Sequence, residues 1–179
     1  MSVKIIYFVH GTTTDNEEGK ATGWSQGKLS AKGIEQAKAL KEKINMQEID
    51  LVISSDLQRA VDSANYIFKD EKEIIHDKRI RECNYGDLDE KSKTLVKYEE
   101  HISATFPNGE SLIGVEERVN DFCKHLLEKY NGKTVAIVAH RAPQLALEVI
   151  TKKISWEQAI ANDWRKTKSW QPGWIYTIE

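Results

Sequence analysis

Cysteine is scarce: Cys83 and Cys123 are the only two in 179 residues. No C-x-x-C spacing links them, so they read as reduced thiols and a disulfide between them is not expected. Long apolar runs are missing as well. The first, Ile5–Val9, follows Lys4 and is too short for the core of a signal peptide. Nothing approaches the roughly 18 apolar residues of a membrane-spanning helix. A cytoplasmic protein with no membrane partner is the expectation. With 3 prolines and 10 glycines, the chain shows no repeat, linker or low-complexity tract, and one domain over residues 1–179 is expected. Nor is there a surplus of charge. Lys and Arg number 26 against 28 Asp and Glu, a formal net charge of −2, so no global basic field calls for nucleic acid. Local groups of cations matter more than the total.

What is present is an ordinary globular composition, 40% apolar and 30% charged. "VKIIYFV" (Val3–Val9) is short, β-branched and aromatic, and runs into a glycine-containing loop, the pattern of a buried strand. Asp50–Asp56 and Lys133–His140 repeat that shape, with Glu73–His76 and Gly173–Glu179 as shorter candidates. Helical spacing fills the gaps: Ile34, Ala37, Leu40 and Ile44 after Ser30; Leu57 to Phe68; Val115, Val119, Phe122, Leu126 and Tyr130; and a helix opening near Pro143. The polar, lysine-bearing stretch Asp87–Asn108 is expected to form a helix with flanking loop that caps the sheet's edge. Apolar strands alternating with amphipathic helices predict an α/β three-layer sandwich, a mostly parallel central sheet with helices on both faces.

In such a sheet, ligands gather at the carboxyl ends of the strands. Three predicted strands end in chemically useful residues: His10, then Ser54-Ser55-Asp56 with Arg59 a turn later, then His140-Arg141. Parallel packing would bring them to one rim. Phosphoryl transfer needs such a group, because an imidazole nitrogen can attack phosphorus while guanidinium forks and N–H donors hold the equatorial oxygens. Singly, each residue also fits an ordinary role: a hydrogen-bonded strand-end histidine, an exposed helix charge, a solvated loop carboxylate at Glu82. The joint pattern is what points to a site.

Those residues resemble the histidine phosphatase superfamily, also called phosphoglycerate-mutase-like. "VHGTTTDN" (Val9–Asn16) is similar to the leading Arg-His-Gly-x-Thr motif with its later Asn. "ATGWSQGKLSAKG" (Ala21–Gly33), "SSDLQRA" (Ser54–Ala60), "RECNYGDLDEK" (Arg81–Lys91), "PNGES" (Pro107–Ser111) and "VAIVAH" resemble the family's further segments, in order, as far as about Ile150. The resemblance implies His10 as a nucleophile that becomes phosphohistidine. It implies Arg59 and His140 as a clamp on the phosphoryl group, and Asn16 as a donor to it. Glu82 would be the acid for the leaving oxygen and later the base for water. Thr22, Gly23 and Tyr85 fall at positions that shape the substrate pocket. The chemistry agrees: His10 must be neutral to attack, its other nitrogen is expected to donate to a backbone carbonyl, and an alcohol leaving group needs a proton. Neither motif nor mechanism demands a metal or other cofactor. A small-molecule phosphate ester is the implied partner, and oligomeric state is not legible.

Two departures stand together: Val9 where the family has arginine, and Arg141 where it usually has glycine. Neighbouring strands lie about 4.8 Å apart, so a guanidinium at position 141 can replace the absent one. Arg165, in "DWRKTKSWQPGW", is the second candidate. A catalytically weakened phosphate-binding protein and a phosphoglycerate-mutase-type phosphotransferase are the alternative readings. Against the mutase, Asp87–Asn108 carries Lys91, Lys93 and Lys97 but no arginine, and lysine is the poorer bidentate clamp. The lysines read as an exposed helical face. Trp24, Trp156, Trp164, Trp170 and Trp174 fit a core or an interface better than an aromatic pocket, and Cys83 beside Glu82 fits packing.

Overall fold

A computed structural model describes residues 1–179. Its strands are the apolar runs: β1 (Val3–Val9), β2 (Leu51–Ser54), β3 (Ile74–His76), β4 (Thr134–Ala139) and β5 (Trp174–Ile178). They lie in the order β3-β2-β4-β1-β5, and all pairings are parallel except the last, where β5 runs antiparallel along the edge of β1. β4, the longest uninterrupted buried run, is the centre of the sheet, where both of its faces are covered.

Seven α-helices connect and flank the strands: α1 (Thr14–Glu17), α2 (Ala31–Lys41), α3 (Gln58–Phe68), α4 (Leu112–Lys129), α5 (Arg141–Lys152), α6 (Trp156–Ala161) and α7 (Trp164–Thr167). Alternate residues of each strand go to opposite faces. Phe8, Val52, Ala136 and Val138 meet Ala37 and Leu40 of α2 and Ala64, Ile67 and Phe68 of α3. Val3, Ile5, Tyr7, Val135 and Ile137 meet Val115, Val119 and Phe122 of α4 and Leu145 and Ala146 of α5. Each large apolar side chain removed from water in these two layers contributes about 1.5–3 kcal/mol. This is the three-layer α/β arrangement that the sequence predicts, with helix and strand ends displaced by a residue or two.

One expectation fails. Asp87–Asn108 contains no α-helix, only 3-10 turns at Gly86–Leu88, Lys93–Leu95 and Tyr98–Glu100. Beyond the short local bonds of those turns, its backbone groups bond across to another loop: Glu90 N–H donates to Ala21 O at 2.6 Å, Ala21 N–H to Lys91 O at 2.8 Å, and Lys93 N–H to Gly19 O at 2.9 Å. The segment therefore lies over the carboxyl rim, not along a sheet edge, and Lys93 and Val96 face a cavity there.

Candidate active site

β2, β4 and β1 are neighbours, so their carboxyl ends form one rim. Val9 pairs with Ala139 and Ser54 with Val138, which sets His10, His140 and the first turn of α3 side by side. The rings of His10 and His140 lie 5.1 Å apart, centre to centre, and Arg59 Nε is 3.3 Å from His10 Nε2. A hollow of about 570 Å³ opens above them, lined by His10, Arg59 and Glu82 among others. His140 has no accessible surface of its own and sits against His10, not in the hollow's wall.

His10 is held from below. Gly11 N–H donates to Ser63 Oγ of α3 at 3.0 Å. A Cβ on Gly11 would come within 2.5 Å of Gly33 O, so only glycine lets this loop rest directly on the start of α2. His10 Nδ1 meets Gly11 O at 2.7 Å. A carbonyl can only accept, so the proton is on Nδ1, and the Nε2 lone pair faces the hollow as the acceptor of the Arg59 Nε–H. Although the residue keeps some surface at the cavity floor, protein encloses the ring. That desolvation, with the neighbouring Arg59 charge and more weakly Arg165, lowers its pKa to about 3.

Arg59, one per cent exposed, is the largest fully buried side chain. Its NH2 group donates to Gly23 O at 2.7 Å and NH1 to Ser25 O at 2.8 Å, while Nε points at His10. None of these partners carries a charge, and no carboxylate forms an ion pair with it; burial pushes its pKa down. His140 is equally uncompensated. Tyr7 Oη bonds to its carbonyl at 2.7 Å and receives its N–H at 3.1 Å, fixing the backbone. Both ring nitrogens are without a protein partner, and burial, then Arg59 and His10, hold the ring well below its usual pKa.

Glu82 enters from the opposite wall. Its Oε1 accepts from Cys83 N at 2.9 Å, from Ala142 N in the first turn of α5 at 3.0 Å, and from Tyr98 Oη at 3.3 Å, leaving Oε2 unengaged. Its carbonyl takes Trp24 Nε1 at 2.7 Å and Arg118 at 3.0 Å. Arg118 is itself aligned by a two-fold contact with Glu110. The Gly-Glu-Ser segment thus acts by holding the loop that carries Glu82.

Of the other residues singled out from sequence, Asn16, Thr22, Gly23, Tyr85 and Arg141 all line the hollow. Asn16 uses Oδ1 to accept from Thr13 N at 3.1 Å, which turns its amide N–H₂ away from that cap. Thr22 donates its hydroxyl to Asp15 at 2.9 Å. Gly23 gives its carbonyl to Arg59. Tyr85 Oη pairs with Tyr98 Oη at 2.8 Å, so it buttresses the tyrosine that touches Glu82. Arg141 is already engaged: Nε donates to buried Asp163 at 2.6 Å, and the guanidinium lies 4.0 Å over the Tyr98 ring. Val9 lines a second, adjoining hollow of about 460 Å³ on the α2 side, together with Leu40, Trp164 and Trp170.

Sequence reasoning missed Asp163 and Lys20, left Arg118 without a role, and read Lys93 as part of an exposed helical face where the structure puts it on a 3-10 turn lining the hollow. The only sequence signal at Asp163 is an acidic residue just ahead of the basic run Arg165, Lys166 and Lys168. The tryptophans divide: Trp156 and Trp174 are core, Trp24 supports Glu82, and Trp164 and Trp170 edge the hollows. Both cysteines are free and buried. No group of three or more His, Cys, Asp and Glu side chains is placed to hold a metal, and no helix is long and apolar enough to cross a membrane.

Known proteins share this layout. The chain is 30% identical over 156 residues to phosphoserine phosphatase 1 of Hydrogenobacter thermophilus, covering 81% of this chain and 74% of that one. It is 32% identical over 147 residues to a probable phosphoglycerate mutase of Citrobacter koseri, covering 75% and 68%. Among solved structures, a mycobacterial glucosyl-3-phosphoglycerate phosphatase superposes with a TM-score of 0.78 at 24% identity, over 89% of this chain and 86% of that one. Another, described as mycobacterial hydrolase 1, reaches 0.81 at 23% identity over 90% and 85%. The model of the histidine phosphatase superfamily, branch 1, matches residues 6–167. With strand-end histidines, buried arginine and acidic loop in the order that family model spans, the chain belongs to the histidine phosphatase superfamily.

Proposed function

We propose that the protein hydrolyses small phosphate monoesters without a metal, through a phosphohistidine on His10. Nε2 attacks phosphorus in line as the ester P–O bond breaks, and Glu82 gives the departing oxygen its proton. The resulting carboxylate then takes a proton from water, whose oxygen displaces Nε2 and releases inorganic phosphate. Arg59, His140 and the Asn16 amide hold the equatorial oxygens, while Thr22, Gly23 and Tyr85 shape the entrance.

The observation that carries this reading is Arg59. A guanidinium buried among neutral carbonyls lacks a counter-charge at a cost of several kcal/mol, and its Nε is 3.3 Å from a nucleophilic nitrogen. A phosphoryl group at that point supplies the missing negative charge. Two buried, unpaired thiols fit the reducing setting of the cytoplasm. One feature favours binding without turnover, namely Val9 in place of a cation. Against it, the free Oε2 of Glu82 has no use in a protein that only binds. Mutase activity is less favoured, since no arginine lies between Asp87 and Asn108.

An alkaline, denaturing quench after incubation with a ³²P-labelled ester should trap base-stable, acid-labile label on the wild type and none on His10→Ala. Turnover across a panel of phosphate esters should persist in EDTA and fall about a thousandfold or more in His10→Ala. Ester cleavage that survives loss of the ring would overturn the proposal.

A further inference from the structure

The clamp described so far is one cation short. Position 9 is valine, and Arg141 is held by Asp163 on one side and the Tyr98 ring on the other. Lys20 is paired with Glu18 at 2.6 Å. Lys93 lines the larger hollow but not the one behind Val9. Arg165 differs from all of them. It lines both the 570 Å³ hollow and the 460 Å³ hollow behind Val9, so it stands where the two meet at His10 and Asn16. It has no carboxylate partner; its guanidinium lies 5.3 Å from the centre of the Trp164 ring.

From these contacts we propose that Arg165, carried on α7, is the second guanidinium of the phosphate clamp and takes over the task of the cation missing at position 9. The inference rests on the phosphohistidine reading above and adds to it a residue from outside the strand-end motifs. The local sequence explains how a short segment can place a charge this way. Asp163 is one per cent exposed, and its Oδ1 accepts the Arg165 N–H at 2.9 Å, which starts α7. Its Oδ2 accepts from Arg141 Nε at the start of α5. One carboxylate therefore fastens the backbone of Arg165 to the end of β4. Trp164, packed 5.8 Å from Trp174 of β5, fixes the other side. Arg141 is then a fastening, and Arg165 has the mobile fork that can reach a phosphoryl oxygen. The charge of Arg165 already acts on His10, favouring its neutral, attacking form.

Arg165 is exposed, so Arg165→Ala will fold. Lys166→Ala is the control, because it removes the same charge from the same turn while its partner is Glu99, away from the hollow. The measurements are kcat/KM on p-nitrophenyl phosphate and the inhibition constant of orthovanadate. Arg165→Ala should lose at least tenfold in both, about 1.4 kcal/mol, Arg165→Lys should recover part of it, and Lys166→Ala should stay within twofold of wild type. Wild-type values in Arg165→Ala overturn the assignment and leave the phosphohistidine reading intact. Equal losses in Arg165→Ala and Lys166→Ala overturn it too, in favour of a diffuse field. A wild type that neither turns over ester nor binds vanadate overturns both proposals.

Discussion

At the scale of single residues, Glu82 is held in the hollow through one of its two carboxylate oxygens. Every hydrogen bond to its side chain goes to Oε1, so Oε2 alone is available to move a proton. Glu82→Gln preserves an acceptor for those bonds but cannot serve as acid. Turnover of an alkyl phosphate should drop about 10²–10⁴-fold. Turnover of p-nitrophenyl phosphate, whose leaving group needs no proton, should drop far less, and a uniform loss on both would contradict the assignment. The residues that meet at the rim were legible in the sequence because each closes a strand or follows one: His10 after β1, Arg59 after β2, His140 after β4. Glu82 and Asn16 were found only through the motif they belong to. The residues that hold them were not legible. Arg118 lies on an amphipathic helix and reads as one more exposed charge, although its guanidinium bonds to the carbonyls of Arg79, Arg81 and Glu82.

At the scale of elements, the joint between α5 and α7 decides how the rim is closed. Asp163 and Arg141 are buried together, and a buried ion pair that loses one member leaves the other uncompensated. Asp163→Ala should therefore destabilise the fold by about 3–5 kcal/mol, read as a lower urea midpoint with unchanged slope. Asp163→Asn, which keeps the cap on Arg165, should cost less. The strands and long helices followed from apolar spacing, since each has a face against the sheet. Asp87–Asn108 did not, because its regularity comes from bonds to residues 19–21 that no local pattern records. The same holds for α7, whose four residues have no buried face of their own. Local rules describe an element only when its own neighbours along the chain stabilise it.

For the whole molecule, enclosing two neutral imidazoles ties folding to pH. His10 is lowered to about 3 and His140 well below its free value of 6.5. An unfolded chain takes up these protons below about pH 6.5, whereas the folded chain refuses them. Stability is thus unaffected above that pH and falls as the pH drops from 6.5 towards 3, by up to about 1.4 kcal/mol per pH unit for each ring. Urea midpoints measured from pH 7.5 to 4.5 should decline, and the decline should be shallower in His10→Asn. Equal slopes in the two proteins would show that the ring is not held neutral.

The contact of Gly11 with Gly33 joins the residue beside His10 to the start of α2. Main chain lies on main chain there, with no side chain between them to absorb a displacement. If the solvent-facing helix behind that joint tilts or slides, the proposed nucleophile at His10 travels with it. Aim is therefore set by how firmly an outer helix is seated, and a change in its length or packing would mistune the reaction while every reacting group remained in the chain.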